Sequence, residues 1–139
     1  MFIIAHATLQ DKPYWYSLDR HMPKSEYEPK VRDKRCYILR ENEQPIGILR
    51  YNLFWDVIPF LTLIFLEDAY HRKGLGSKAM AHWENEMGAL GHKMVMTSTQ
   101  ADEKAQFFYR KLGYKDMGCL VMNDPPYEQP LEVFLSKGL

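Results

Sequence analysis

The chain has 139 residues, which at the usual ~100–200 residues per domain means one domain built on one core. Hydrophobic residues make up 46% and aromatic residues 14%, excluding a disordered or low-complexity protein. Eighteen Lys and Arg balance eighteen Asp and Glu, so the formal net charge is zero and nothing general draws the chain to nucleic acid or an anionic membrane.

The apolar opening Phe2 to Leu9 reads as a strand. Its apolar start lacks basic residues and falls short of the ~7–15 residues of a signal peptide. The longest apolar stretch, Val57 to Leu66, is about half the ~20 residues a membrane span needs, so a cytoplasmic protein with no membrane partner is expected. The polar, proline-marked stretch from Gln10 to Lys34 holds one or two short helices. Cys36 to Leu39 and Ile46 to Phe54 flank Glu41-Asn42-Glu43-Gln44-Pro45, the pattern of a β-hairpin. Phe60 to Leu66 is nearly all apolar, as a strand buried on both faces would be.

Leu75, Ala79, Trp83, Met87 and Leu90 then recur at helical spacing, and Gly91 stops the helix. Met94 to Thr99 is the next strand. Asp102 is expected to cap a helix whose Ala105, Phe108 and Leu112 share a face and which ends at Gly113. Strands near Tyr114 to Met122 and Leu131 to Leu135 close the chain. This order describes an α+β protein with helices packed on a sheet and a βαβ crossover at its middle. Cys36 and Cys119 have no CxxC spacing and read as reduced core thiols. His82 and His92 have no i,i+4 pairing, so no metal site is expected.

The most informative segment is Leu66-Glu67-Asp68-Ala69-Tyr70-His71-Arg72-Lys73-Gly74-Leu75-Gly76-Ser77-Lys78, where a strand passes through a short basic loop into a helix. Glycines at 74 and 76 let the backbone approach a ligand, and the free N–H groups of a first helical turn carry roughly half a positive charge. A phosphate cradle results, with Arg72, Lys73 and Lys78 around it. The plainer reading is a tight strand-to-helix turn. A Walker A loop is excluded because Gly76 is followed by Ser77 and then Lys78. Gly74 to Ala79 satisfies the loose dinucleotide pattern G-x-G-x-x-A, yet half the chain precedes it, whereas a Rossmann turn follows the first strand.

His71-Arg72-Lys73-Gly74-Leu75-Gly76 resembles the pyrophosphate loop Gln/Arg-x-x-Gly-x-Gly/Ala of the GNAT superfamily of acyl-CoA-dependent N-acyltransferases, with His71 in place of Gln or Arg. Asp102-Glu103-Lys104-Ala105-Gln106-Phe107-Phe108-Tyr109-Arg110-Lys111-Leu112-Gly113-Tyr114 resembles the family's later segment Asn-x-x-Ala-x-x-Phe-Tyr-x-Lys-Leu-Gly-Phe/Tyr, with Asp102 for Asn. The resemblance covers Phe60 to Tyr114 well and Gln10 to Lys34, where the family builds its acceptor pocket, hardly at all.

The resemblance implies a single GNAT-like domain over residues 1–139 with a mixed, mostly antiparallel sheet and helices packed on both faces. It implies acetyl-CoA as co-substrate, an amine as acceptor, no metal, and a homodimer as a common assembly. The cofactor would meet the backbone of Ile64, Phe65 and Leu66 through its pantetheine, the segment His71, Arg72, Lys73, Gly74, Leu75, Gly76 and Ser77 through its pyrophosphate, and Asp102 and Phe108 in the later motif. Tyr109 lies at the family's general-acid position, and the chemistry agrees: a phenol of pKa near 10 can protonate a departing thiolate of pKa near 8.5.

The acceptor amine must lose its proton to attack. Some relatives place a Glu where this chain has Thr97, which cannot take a proton. Glu67 is then the best carboxylate for a base acting through water, ahead of Asp68 and Asp56. Trp55, Ser98, Thr99 and Gln100 are candidates to border the acceptor. With Asp56, Glu67, Asp68 and Asp102 near strand ends and helix starts, a small cationic amine is the favoured acceptor and a protein amine a second one. The rival reading is a catalytically silent acyl-CoA-binding or regulatory domain that keeps the cradle and lacks the base.

Overall fold

The computed structural model describes all 139 residues, Met1–Leu139. Seven strands, β1 (Phe2–His6), β2 (Cys36–Glu41), β3 (Gln44–Phe54), β4 (Ile58–Leu66), β5 (Met94–Gln100), β6 (Lys115–Leu120) and β7 (Glu132–Gly138), are interleaved with four helices, α1 (Lys12–Leu18), α2 (Tyr27–Arg32), α3 (Leu75–Ala89) and α4 (Ala105–Lys111). The strands form one mixed sheet in the order β1-β2-β3-β4-β5-β7-β6. The β1–β2, β2–β3, β5–β7 and β6–β7 pairs are antiparallel and β4–β5 is parallel, so the expected α+β class is the observed one. Parallel neighbours need a crossover, and α3 supplies it between β4 and β5. No helix is long and apolar enough to cross a membrane. The chain divides into two compact units, Met1–Asn52 with Thr62–Trp83, and Leu53–Leu61 with Glu84–Leu139.

In the first unit, strand alternation sorts the side chains of β2 and β3 between two cores. Cys36, Ile38 and Ile48 join Trp15, Met22 and Tyr27 from the α1–α2 segment in one apolar cluster, with Leu18 and Leu63 packed on it. Tyr37 and Tyr51 point the other way, where α3 brings His82 and Trp83 to ring-centroid distances of 6.4 and 5.8 Å. Helices thus cover both faces of these strands. Trp15, Tyr27 and Trp83 are completely buried, and at roughly 1.5–3 kcal/mol per large side chain removed from water they anchor the unit.

Three local rules set the boundaries here. Strand β1 stops at His6 rather than Leu9. The Thr8 N–H and hydroxyl both donate to Asp11 Oδ2, at 2.9 and 3.1 Å, and fold the chain into a 3-10 turn ahead of α1. The β2–β3 hairpin turns on Asn42 and Glu43, with φ of 50° and 72°, the two-residue left-handed geometry that matches strand twist. Strand β3 therefore starts at Gln44, two residues before Ile46, and a register shift after Leu39 accommodates Pro45. At Gly47 any Cβ would fall 2.5 Å from the Phe65 carbonyl oxygen, so the missing side chain lets β4 approach β3.

Burial of β4 on both faces is not observed: Leu61 is buried, but Thr62 and Phe65 are exposed, Phe65 by 40%. An apolar run reports hydrophobicity and not what covers it, and a cavity opens beside Phe65.

In the second unit, β5 and β7 pair from Met94↔Gly138 to Gln100↔Glu132, and the outer strand β6 is exposed along its whole length. Cys119 lies on β6 and is exposed, so only Cys36 is a core thiol, with burial pushing its pKa up to about 12. The two helix stops expected at Gly91 and Gly113 are met, with φ of 99° and 96°. The cap expected at Asp102 is not. Helix α4 begins at Ala105 after Lys104, and the Gln106 amide closes the preceding turn by donating to the Ala101 and Glu103 carbonyls, both at 2.8 Å. Glu84 accepts from the Tyr114 hydroxyl and from Lys137 Nζ, each at 2.8 Å, tying α3 to the start of β6 and to β7.

Candidate active site

The first unit carries the glycine turn. Beyond Leu66 the chain makes a 3-10 turn over Asp68–Tyr70, and His71 Nε2 lies 2.6 Å from the Leu66 carbonyl, so the ring closes the turn onto the strand end. Arg72 and Gly74 both sit in the left-handed region, at φ of 63° and 73°. The glycine adopts this freely; the arginine does not, and such strain concentrates where a backbone is shaped for a ligand. Lys73 is held with its ammonium 5.5 Å over the Tyr70 ring.

The first backbone bond of α3 runs from the Lys78 N–H to the Gly74 carbonyl at 3.2 Å, so the N–H groups of Leu75, Gly76 and Ser77 precede it. The first turn of this 15-residue helix contains no acidic side chain to compete for them. Leu75 is buried and fixes the helix end, while Arg72, Lys73, Gly74, Ser77 and Lys78 are exposed. The arrangement can take an anion on a helix N-terminus reinforced by three cationic side chains.

Glu67 follows directly on β4. Its N–H donates to the Ile46 carbonyl at 2.9 Å, which carries the β3–β4 pairing one residue past Leu66. The Tyr14 hydroxyl of α1 donates to Glu67 Oε2 at 2.6 Å. Burial first, and then that bond to the carboxylate, push the Tyr14 phenol well above its usual range, so it remains a donor. Nothing in the sequence signals this partnership, because 53 residues separate the two. Asp68, by contrast, is 99% exposed at its side chain. Ile64 and Leu66 are half-buried on β4.

The second unit carries the later motif. Tyr109 on α4 is 6% exposed and packs on Phe108 and Tyr114 at ring-centroid distances of 5.4 and 5.7 Å. Burial raises its pKa above the ordinary phenol value, an effect the neighbouring Thr97 hydroxyl partly offsets. Thr97 itself is buried and donates to the Leu61 carbonyl at 3.1 Å. The β4–β5 ladder consists of Phe60↔Met96 and Leu61↔Thr97, although β4 runs on to Leu66 and β5 to Gln100.

Asp56 and Asp102 are exposed and belong to this unit, whereas Glu67 belongs to the first. Trp55 is 77% exposed, Thr99 is buried, and the Ser98 hydroxyl is committed to Glu132 at 2.6 Å. Of the expected residues, then, Ile64 to Ser77 run from the end of β4 through the turn into the start of α3, and Tyr109 packs on Phe108 beside Thr97.

The acetyltransferase (GNAT) family model matches residues 4–114, and the chain belongs to that family. No curated protein matches the sequence. Among solved structures, a GNAT-family acetyltransferase from Bacillus cereus ATCC 10987 shares the fold with a TM-score of 0.75 and 21% identity, over 99% of this chain and 97% of that one. The ribosomal-protein-S18-alanine N-acetyltransferase of Escherichia coli aligns with a TM-score of 0.78 and 19% identity, over 99% and 94%. Arabidopsis thaliana Naa50 aligns with a TM-score of 0.77 and 12% identity, over 99% of both chains.

Proposed function

We propose that residues 1–139 form one N-acetyltransferase domain, acting in the cytoplasm, that moves the acetyl group of acetyl-CoA to a primary amine by direct attack. The observation that carries this reading is the turn from Leu66 to Lys78, whose left-handed Gly74, uncontested α3 N-terminus and three basic side chains suit a pyrophosphate. The CoA-containing bisubstrate analogue CoA-Ac-MVNAL bound to Naa50 supports the same donor. Pantetheine would lie along the backbone of Ile64, Phe65 and Leu66, which also suits polarising the thioester carbonyl without a particular side chain.

As the amine nitrogen bonds to the acetyl carbon and the carbon–sulfur bond breaks, Tyr109 gives its proton to the leaving thiolate. Glu67 takes the amine's proton through water, held by Tyr14. A lysine-like amine of pKa ~10.4 costs about 4.6 kcal/mol to deprotonate at pH 7, which is why a base matters.

Thr97 favours a second reading, a silent CoA-binding domain, because its hydroxyl is spent on Leu61 where some relatives carry a Glu. Thiol release from acetyl-CoA across a panel of amines decides between them: release with any amine sustains the enzyme, and CoA binding with no release sustains the silent domain.

Two variants test the assignments. Gly74→Val puts a branched side chain at φ 73° with nothing of the protein within 4 Å of its Cβ, so the fold should survive while the turn distorts. CoA affinity measured by calorimetry is expected to fall about tenfold to a hundredfold. A folded variant with wild-type affinity would show the pyrophosphate site to be misplaced. Glu67→Gln should lower kcat/KM most near pH 7, where free amine is scarce, and least near pH 9. A profile parallel to wild type over pH 6 to 9 removes Glu67 from the mechanism.

A further inference from the structure

On β4, alternation places Leu63, Phe65 and Glu67 on one face, and the bond from the Glu67 N–H to Ile46 keeps that alternation through Glu67. On α1, Tyr14, which holds the Glu67 carboxylate, shares a helix face with Ser17 and Leu18 one turn further on. Between these two faces and the bend that follows α1 lies a cavity of about 360 Å³ lined by Ser17, Leu18, Leu63 and Phe65 together with Asp19, Arg20 and His21. At ~3.4 Å per residue along the strand, Phe65 sits roughly 7 Å from the residue proposed as base. A larger cavity of about 460 Å³ beside α2, lined by Glu28 and Arg32 among others, contains none of the proposed reacting groups.

The lining has a definite character. Leu18, Leu63 and the 40% exposed Phe65 offer apolar surface that a ligand would cover. Asp19 is the sole carboxylate, and it is used up: Oδ2 accepts from Arg50 Nε at 2.8 Å and Trp15 Nε1 at 3.0 Å, and Oδ1 from the His21 and Met22 N–H groups at 3.0 and 3.2 Å. Arg20 and His21 are both exposed there, Arg20 carrying a permanent full positive charge and His21 an imidazole. The cavity is therefore apolar with a cationic rim, where a second ammonium on the acceptor would meet Arg20.

Building on the acetyltransferase reading, we propose that this cavity is the acceptor pocket and selects a primary amine borne next to an apolar side chain, with a carboxylate that Arg20 engages. A free apolar amino acid and a peptide N-terminus with an acidic second residue share this chemistry. The small cationic amine expected from the sequence does not.

The test compares Leu-Asp-amide with its uncharged isostere Leu-Asn-amide, with L-leucine and with putrescine, as acetyl acceptors and by calorimetric binding to the whole chain. Leu-Asp-amide should exceed Leu-Asn-amide about tenfold in kcat/KM and in affinity, the ratio should fall to about one in Arg20→Ala, and it should invert in Arg20→Glu. L-leucine matching Leu-Asp-amide assigns a free amino acid, and preference confined to the peptides assigns a chain N-terminus; either supports the pocket. Putrescine preferred over both peptides, or a ratio that Arg20→Ala leaves intact, overturns it while leaving acetyl transfer standing. Absence of turnover with every amine, together with an Arg20-dependent binding ratio, defeats acetyl transfer and retains the pocket; no binding of any probe defeats the pocket.

Discussion

Tyr109→Phe is expected to lower kcat by about 10²–10⁴-fold with CoA affinity close to wild type, the span of a positioned general acid. The substitution keeps the ring that packs on Phe108 and Tyr114 and removes only the hydroxyl, so stability should fall by about 1 kcal/mol or less. Because burial holds the Tyr109 phenol above its ordinary pKa, the proton is in place throughout the neutral range. The acid form is lost only as pH rises through that elevated value, so wild-type kcat should show no fall from this group below about pH 10. Steady-state and single-turnover rates on the same preparation check both statements, since a burst would reveal product release as the slow step. Equal losses in binding and rate would mark Tyr109 as a packing residue, and an unchanged single-turnover rate would end its assignment as acid.

Asp19→Ala should cost about 3–5 kcal/mol of stability, a large share of the ~5–15 kcal/mol typical of a domain. The side chains of Asp19 and Arg50 are 0% and 10% exposed, and removing the carboxylate strands the guanidinium, the Trp15 indole N–H and two backbone N–H groups at once. Urea unfolding should show the loss. The double variant Asp19→Ala/Arg50→Met should recover part of it, because the orphaned charge goes with its partner. A loss below about 1 kcal/mol would mean that water replaces the network.

The same carboxylate sets an acid limit. Burial alone would raise the Asp19 pKa, but the His21 and Met22 N–H groups and Arg50 outweigh it and the net shift is downward. A depressed folded-state pKa contributes stability that is complete well above the unfolded value near 3.9 and is lost as pH falls through the folded value. Stability should therefore decline from about pH 5 downward, and less steeply in Asp19→Asn. A decline of equal slope in both proteins would assign it to other carboxylates.

What could be read from the sequence was what lies close along it. The hairpin at Asn42-Glu43, the period of α3, the stops at Gly91 and Gly113 and the strand-to-helix turn ahead of Leu75 all rest on backbone preferences and spacings within a few residues. Those same short spacings led to the family, which residues 4–114 match. Even locally, a side chain with a better partner could overturn the pattern: Asp102 is no cap because Gln106 closes the turn, and β1 stops early because Asp11 captures Thr8.

Tertiary structure decided the rest, because the energies concerned arise between groups that only folding brings together. Tyr14 meets Glu67 across 53 residues and Asp19 meets Arg50 across 31, and no periodicity encodes either pair. The carboxylates show the same dependence on folding. Asp68 is left in solvent, Glu67 receives the Tyr14 hydroxyl, and Asp19 is neutralised by Arg50. A charge acts over the few ångströms that burial and screening leave to it, so its effect belongs to its position in space rather than to its presence in the chain.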